Sequence, residues 1–335
     1  MTMRSRIDSA WKMSGGFGLA LMIGLGCSGS GESPPSYQPV SATNEASLYT
    51  IEMGSLKMVV DASAGARITE FSLGGMNVLT GTDVNSADYG STYWPSPQSS
   101  WCTAGGGCWP PIAAIDTQPY TGSIDTGTNT VQLTSGEASI AGFAGSAVTI
   151  SKQFTPVPDS GAIDVTYTLA NTSPSVAVSV AAWQISRVEA TGGLTFFGQG
   201  GGAPSYASGS DATFAATEAG GDLWYDFSPV DSNSKMLADG AGWIAHVTKS
   251  RLLYLLAYPD VPPTEAAPGE AEVEIFTGTG GDYVELETQG ALTNVAPGDA
   301  LVWTVRWKLR QVPSGTSVAV GSSGLTSFAS VQLGQ

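Results

Sequence analysis

The sequence predicts an all-β chain folded as one large antiparallel sandwich, and three observations predict it. Short apolar runs follow one another with a period of two residues, glycine fills 43 of 335 positions, and helical periodicity is nearly absent. A period of two sends alternate side chains to opposite faces of a pleated strand. Glycine at about twice the roughly 7% average usage supplies the turns between many short strands.

In chain order, the runs SLYTIEM, LKMVVDAS, RITEFSL and MNVLTG come first, separated by Gly-Ser, Ala-Gly and Gly-Gly turn signals. TVQLTSG, AVTISKQFTPV and GAIDVTYTLAN follow. In the last of these Ile163, Val165, Tyr167 and Leu169 share one face, with Asp164, Thr166 and Thr168 on the other, the pattern of a half-buried antiparallel strand. VAVSVAAWQISRV, GWIAHVTKS, RLLYLLAYPD, AEVEIFTGT, DYVELETQG and ALVWTVRWKLR continue the series, the last with Thr304, Arg306 and Lys308 outward. Only GLTSFASVQL, at the C-terminus, has a helical pattern. Residues 46–335 contain no fixed-period repeat and no linker, so one sandwich domain is expected there.

Ahead of that domain, Arg4, Arg6 and Lys12 precede an apolar run over residues 17–25 and then Gly26-Cys27. This is the layout of an export signal, too short to remain as a spanning helix. The cysteine after a small residue resembles a bacterial lipoprotein signal. That resemblance implies loss of residues 1–26, lipidation of Cys27 and a place in the cell envelope, with Ser28 leaning toward the outer membrane; a secreted chain is the alternative. Residues 27–45, rich in Ser, Gly and Pro, are expected to form a flexible tether.

The 13 Lys+Arg against 29 Asp+Glu give a net charge of −16. Removing residues 1–26 takes away three basic residues and one acidic residue, leaving 10 against 28, a net of −18. Binding to nucleic-acid phosphates is excluded, because it runs on clustered cations. A single histidine leaves no multi-histidine metal cage, so neither metal nor other cofactor is expected. Cys102 and Cys108 flank TAGGG, and an oxidising compartment predicts a disulfide between them.

DASAGARITEFSLGGMNVL, GSTYWPSPQSSW with the later WPP, NTSPSVAVSVAAWQISRV, and DYVELETQGALTNVAPGDALVWTVRWKL together resemble the galactose-mutarotase-like superfamily, within it a bacterial family of domains of unknown function. The resemblance covers about residues 46–315. It implies a β-supersandwich whose concave face holds carbohydrate in many relatives. It also implies that Glu287 stands where sugar epimerases carry their general base. Where the epimerase histidine belongs, this chain offers Trp183.

A sugar site needs flat apolar surfaces for pyranose C–H faces and fixed polar groups for hydroxyls. Tyr93, Trp94, Gln98, Trp101 and Trp109 supply both types within one loop-rich segment, and Arg67 lies in the first hairpin of the resemblance. Alternation places Trp183 and Arg187 on one face of their strand and Glu285 and Glu287 on one face of theirs. Each also has a structural reading: packing for the aromatics, a surface ion pair for Arg187, solvent-facing carboxylates for the glutamates. Glu285 with Glu287, and Glu272 with Glu274, also offer oxygen ligands to a hard cation, although more would be needed. His246 is the sole histidine and a proton-donor candidate with no carboxylate in its local spacing. The leading expectation is a monomeric carbohydrate-binding lipoprotein for a neutral sugar or glycan. The alternatives are a carbohydrate-active enzyme using Glu287 as base with His246 or Tyr283 as acid, and a structural envelope component that meets a protein partner.

Overall fold

In the computed structural model, which describes residues 37–103 and 106–334, the alternating runs are strands of two antiparallel sheets. The first sheet runs in the order Val40–Glu45, Leu48–Met53, Leu56–Asp61, Arg67–Leu73, Ser91–Ser96, Val178–Glu189, Tyr283–Gln289, Val273–Thr277, Ser234–Ala238 and Ser205–Tyr206. The second is centred on Trp243–Val247, Leu252–Ala257, Ala300–Gln311, Ala162–Asn171 and Val148–Val157. Cys27, the export signal and the tether as far as residue 36 lie outside the described residues.

The expected alternation in Ala162–Asn171 is realised: Ile163, Val165, Tyr167 and Leu169 are buried and the intervening Asp164, Thr166 and Thr168 are half-buried. Between the sheets Tyr93 stacks on Tyr167 with centroids 4.7 Å apart, and Phe71 meets Trp307 edge-on at 5.4 Å. Burying each of these large side chains stabilises the fold by roughly 1.5–3 kcal/mol. A second cluster forms on the far face of the second sheet, where Phe196, Trp243, Ala245 and Leu255 are covered by Leu325 and Ala329 of the C-terminal helix Ser323–Leu333. Ser322 caps that helix by accepting from Leu325 N, and Gly334 at φ 85° ends it.

The structure corrects two expectations of the sequence. The sheet begins earlier than residue 46: Val40–Glu45, placed in the tether by its composition, pairs in full antiparallel register with Leu48–Met53. Tyr93 belongs to the core and not to a ligand surface. It alternates with Thr92 and Trp94, so when Trp94 faces outward its ring must face the second sheet.

The turn before Arg67–Leu73 packs directly against the short helix Ala113–Asp116. Gly65 has φ +67°, and a Cβ there would stand 2.1 Å from the Asp116 carbonyl oxygen. Gly65→Ala therefore meets both a left-handed backbone and a backbone collision. The expected result is a loss of at least about 1–2 kcal/mol in urea unfolding; an unchanged midpoint would contradict the geometry.

Candidate functional site

Strand register builds the site. Ser186 bonds Tyr254 of the second sheet at 2.8 Å, so its neighbours Ile185 and Arg187 face away from that sheet. Directly opposed residues of antiparallel strands share a face. Trp183 stands opposite Trp94 and Gln289, Ile185 opposite Thr92 and Glu287, and Arg187 opposite Glu285. One strand further out, Glu274 pairs with Glu287 and Phe276 with Glu285, and Lys235 then stands opposite Phe276. Five strands thus deliver their functional side chains to one outer face.

A cleft of about 480 Å³ opens there, bounded by Trp94, Trp109, Trp183, Tyr283, Phe276 and Gln98 together with Asp88, Asn233, Lys235, Glu285 and Glu287. Trp94 meets Trp101, Trp109 and Trp183 edge-on, with centroids 5.3–5.6 Å apart. The three buried indoles of this cluster each have an acceptor: Trp94 donates to Asp116 at 2.8 Å, Trp183 to Glu287 at 2.9 Å and Trp101 to the Pro95 carbonyl at 2.8 Å. Trp109 is 54% exposed and presents an open indole at the rim. A disulfide joins Cys102 to Cys108, closing the loop that runs from Gln98 to Trp109.

Behind the aromatics lies a charge array. Arg187 is fully buried; it donates to Glu285 at 2.8 Å and Thr92 at 3.1 Å, and Asp88 lies 3.8 Å from its Nη2. Lys235 is clamped between Glu274 and Glu287, the latter at 3.0 Å, with its ammonium 4.8 Å from the centroid of the Trp183 ring. Burial works to lower Lys235, but Glu287 and Glu274 outweigh it and hold the ammonium protonated. Burial pushes the Glu285 carboxyl up, with Arg187 pulling it back and Glu287 adding to the rise. Glu274 is raised further by burial, against the pull of Lys235. Tyr283 is raised as well, first by burial and then by Glu285. Neither Lys235 nor Tyr283 is therefore a ready proton donor at neutral pH.

The sequence candidates divide three ways. Trp94, Gln98, Trp109, Trp183, Glu285 and Glu287 border the cleft. Arg187, Trp101 and Arg67 support it from behind; Arg67 reaches Asp116 at 3.4 Å and the Ala87 carbonyl at 2.8 Å, and so braces the carboxylate that holds Trp94. Tyr93 and His246 lie elsewhere. His246 is 1% exposed in the second sheet, where Thr195 Oγ1 stands 3.0 Å from Nδ1, and burial pushes its pKa down to about 3. The assignment of His246 as a proton donor is thereby corrected: its strand is covered on both faces, which alternation alone does not reveal.

Asp88, Asn233, Lys235 and Phe276 were missed. The available signal was Lys235 itself, a lysine between the apolar-strand residues of SKMLA, where Ser234 and Met236 turn inward. The cation-ligand reading of the glutamate pairs also fails, because Glu285 is spent on Arg187, Glu274 and Glu287 on Lys235, and Glu272 on the amides of Gly240 and Gly242. Among the described residues no group of three or more His, Cys, Asp or Glu side chains is placed to hold a metal ion.

Neither a family model nor a curated protein matches the sequence. Solved structures do match in fold. A galactose mutarotase-like protein from Lactobacillus casei superposes with a TM-score of 0.53 at 12% identity, over 78% of this chain and 100% of its own. A galactose mutarotase related enzyme from Lactobacillus acidophilus gives 0.52 at 8% identity, over 81% and 100%. A TPR-domain containing protein from Parabacteroides distasonis gives 0.54 at 12% identity, over 82% of this chain and 49% of that longer one. The chain has the galactose-mutarotase-like fold.

Proposed function

We propose that the cleft is a carbohydrate-binding site on an exported protein anchored by lipid at Cys27, and that it holds its sugar without interconverting anomers. The observation that carries this reading is the combination on one open face: an indole platform, 54% exposed at Trp109, beside fixed carboxylate, amide and ammonium groups. Such pairing of flat apolar surface with convergent polar groups is what a pyranose requires. Catalysis is disfavoured by the same geometry. Glu287 Oε2 already accepts from Trp183 and Lys235, and the lone histidine is buried in the second sheet.

The alternative, an aldose-epimerase-like activity, draws on one specific observation. Glu287 and Glu285 border the same cleft, and the carboxyl of Glu285 is raised toward the range of a general acid. Polarimetry separates the two readings. Equal anomer interconversion with and without the protein is expected; acceleration that Glu287→Gln abolishes would establish the enzyme instead.

Binding is tested at the rim. Trp109 is 54% exposed and its packing is confined to the rim, where it meets Trp94 edge-on, so Trp109→Ala is expected to cost about 0.5–1.5 kcal/mol in unfolding and to leave the protein folded. Affinity for oligosaccharides in calorimetry should fall by about tenfold or more, as loss of a stacked indole implies. Unchanged affinity would remove the platform from the site.

A further inference from the structure

We infer that the Cys102–Cys108 disulfide is a redox latch on the cleft: closed, it holds the Trp109 indole at the rim, and reduction releases that indole and lowers affinity for ligand. The inference rests on the carbohydrate reading above and adds the condition under which the cleft binds. It starts from the two ends of the segment that carries Trp109. On one side Trp101 is buried and donates to the Pro95 carbonyl at 2.8 Å, and the carbonyl of Ser100 before it accepts from Gly142 N at 2.7 Å. On the other side Ile112 packs against the core and caps the short helix Ala113–Asp116, in which Ile115 is fully buried.

Between those anchors little else ties the chain down. Thr103, Gly106, Gly107, Trp109 and Pro110 are exposed. Among the described residues from Thr103 to Pro111, a single hydrogen bond reaches the rest of the chain, from Gln98 Nε2 to the Cys108 carbonyl at 3.3 Å. Among them too, the one ring contact of Trp109 is edge-on to Trp94 at 5.6 Å. The disulfide supplies the remaining tie. It joins Cys108, next to the open indole of Trp109, to Cys102, next to the fixed indole of Trp101. Without that crosslink a chain containing Gly106 and Gly107 has many more conformations to occupy.

Both cysteines are half-buried, so a dithiol can reach the bond between them. A thiolate of the dithiol attacks one sulfur, and its second thiol then resolves the mixed disulfide. Two electrons and two protons pass to Cys102 and Cys108, which become thiols as the S–S bond breaks, and the dithiol closes to its own disulfide. A platform ordered before the ligand arrives avoids the entropy cost of ordering it on binding. An oxidising compartment therefore closes the latch and arms the cleft, and a reducing one opens it.

The full chain, oxidised or reduced with dithiothreitol, tests this by fluorine NMR on 5-fluorotryptophan and by calorimetry. The Trp109 resonance, identified by its absence in Trp109→Phe, should sharpen and move toward its unfolded position on reduction, while the buried indoles keep their dispersion and so report an intact sandwich. Calorimetry uses the hexaoses of β-1,4-glucose, β-1,4-xylose and α-1,4-glucose. The best-bound of them should lose at least about fivefold in affinity on reduction, and equally in the double variant Cys102→Ser with Cys108→Ser. In Trp109→Ala the oxidised and reduced forms should agree within about twofold, because the platform is already gone. Equal affinity of oxidised and reduced wild type overturns the latch and leaves the carbohydrate reading standing; so does an undiminished loss on reduction in Trp109→Ala. An unmoved Trp109 resonance overturns the latch in every case. If no hexaose binds the oxidised chain, the carbohydrate reading falls and the resonance alone decides the latch.

Discussion

Arg187→Met is expected to lower stability by about 3–5 kcal/mol at pH 8, the cost of leaving a buried carboxylate without its partner. Arg187 is 0% exposed and its Nε lies 2.8 Å from a Glu285 that is itself 8% exposed. Methionine fills much of the volume but cannot answer the carboxylate. Restoring neutrality should therefore recover much of the loss, and the double change Arg187→Met with Glu285→Gln is expected to stand at least about 1–2 kcal/mol above the single one. The pH dependence has a definite sign. Glu285 is raised in the folded state, so its neutral form is the favoured one. Its contribution is present below the unfolded value of 4.5 and is lost as pH rises through about 7. Without Arg187 the carboxyl rises further, so the penalty of the variant shrinks on acidification from pH 8 to pH 5. Urea unfolding of the three proteins at both pH values decides it. A penalty below about 1 kcal/mol at pH 8 would mean that the ion pair is not what holds Glu285 in the sheet.

That ion pair also shows what was legible in the sequence and what was not. Period-two alternation correctly put Arg187 with Trp183, and Glu285 with Glu287, on shared faces, because the side-chain period of a strand is a local property. Alternation does not say which of two faces is outward. Tyr93 and His246 were therefore drawn to the site from runs whose chosen residues face into packed layers. Only topology says that Ser234–Ala238 joins the same sheet two strands beyond Tyr283–Gln289, and this is why Lys235 completed the array unannounced, whereas Glu274 was legible as one of a glutamate pair but not as its partner. Asp88 comes from a loop, where no periodicity exists to read. The aromatics of residues 93–109 fared unevenly: Trp109, on a glycine-rich connection, and Trp94 do border the cleft, but Trp94 reaches it from the strand Ser91–Ser96 and not from the loop that its Trp-Pro composition suggested.

The support behind Trp94 reaches back to an anomaly in an otherwise regular strand. Val148–Val157 turns Val148, Ile150 and Phe154 inward, and Lys152 occupies an inward position among them at 2% exposure. Its Nζ donates to the Gly65 carbonyl at 2.7 Å and the Ala66 carbonyl at 3.1 Å. A neutral amine has the two N–H bonds this requires, whereas the third N–H of an ammonium finds no further acceptor among the described residues. Burial accordingly pushes Lys152 down to about 7, with Asp116 opposing and Arg67 adding to the fall, and with the Tyr120 ring 5.4 Å from the amine.

From this we expect a stability that climbs with pH. Between about 7 and the unfolded value of 10.5 the unfolded chain binds a proton at this lysine that the folded chain does not. Unfolding free energy must then rise by up to about 1.4 kcal/mol per pH unit from this group. Comparing wild type with Lys152→Met cancels the other titrations, which matters because burial raises the tyrosines of the core and they weigh against stability only at higher pH. The variant strips two carbonyls of their donor and so loses stability overall; the informative quantity is the slope. From pH 7.5 to pH 9.5 the wild type should gain about 2 kcal/mol relative to Lys152→Met in urea unfolding. Parallel curves would mean that the ammonium stays charged inside the sandwich. Asp116, which pairs with Arg67 and accepts from the Trp94 indole, would then be the carboxylate whose field offsets the burial of that charge.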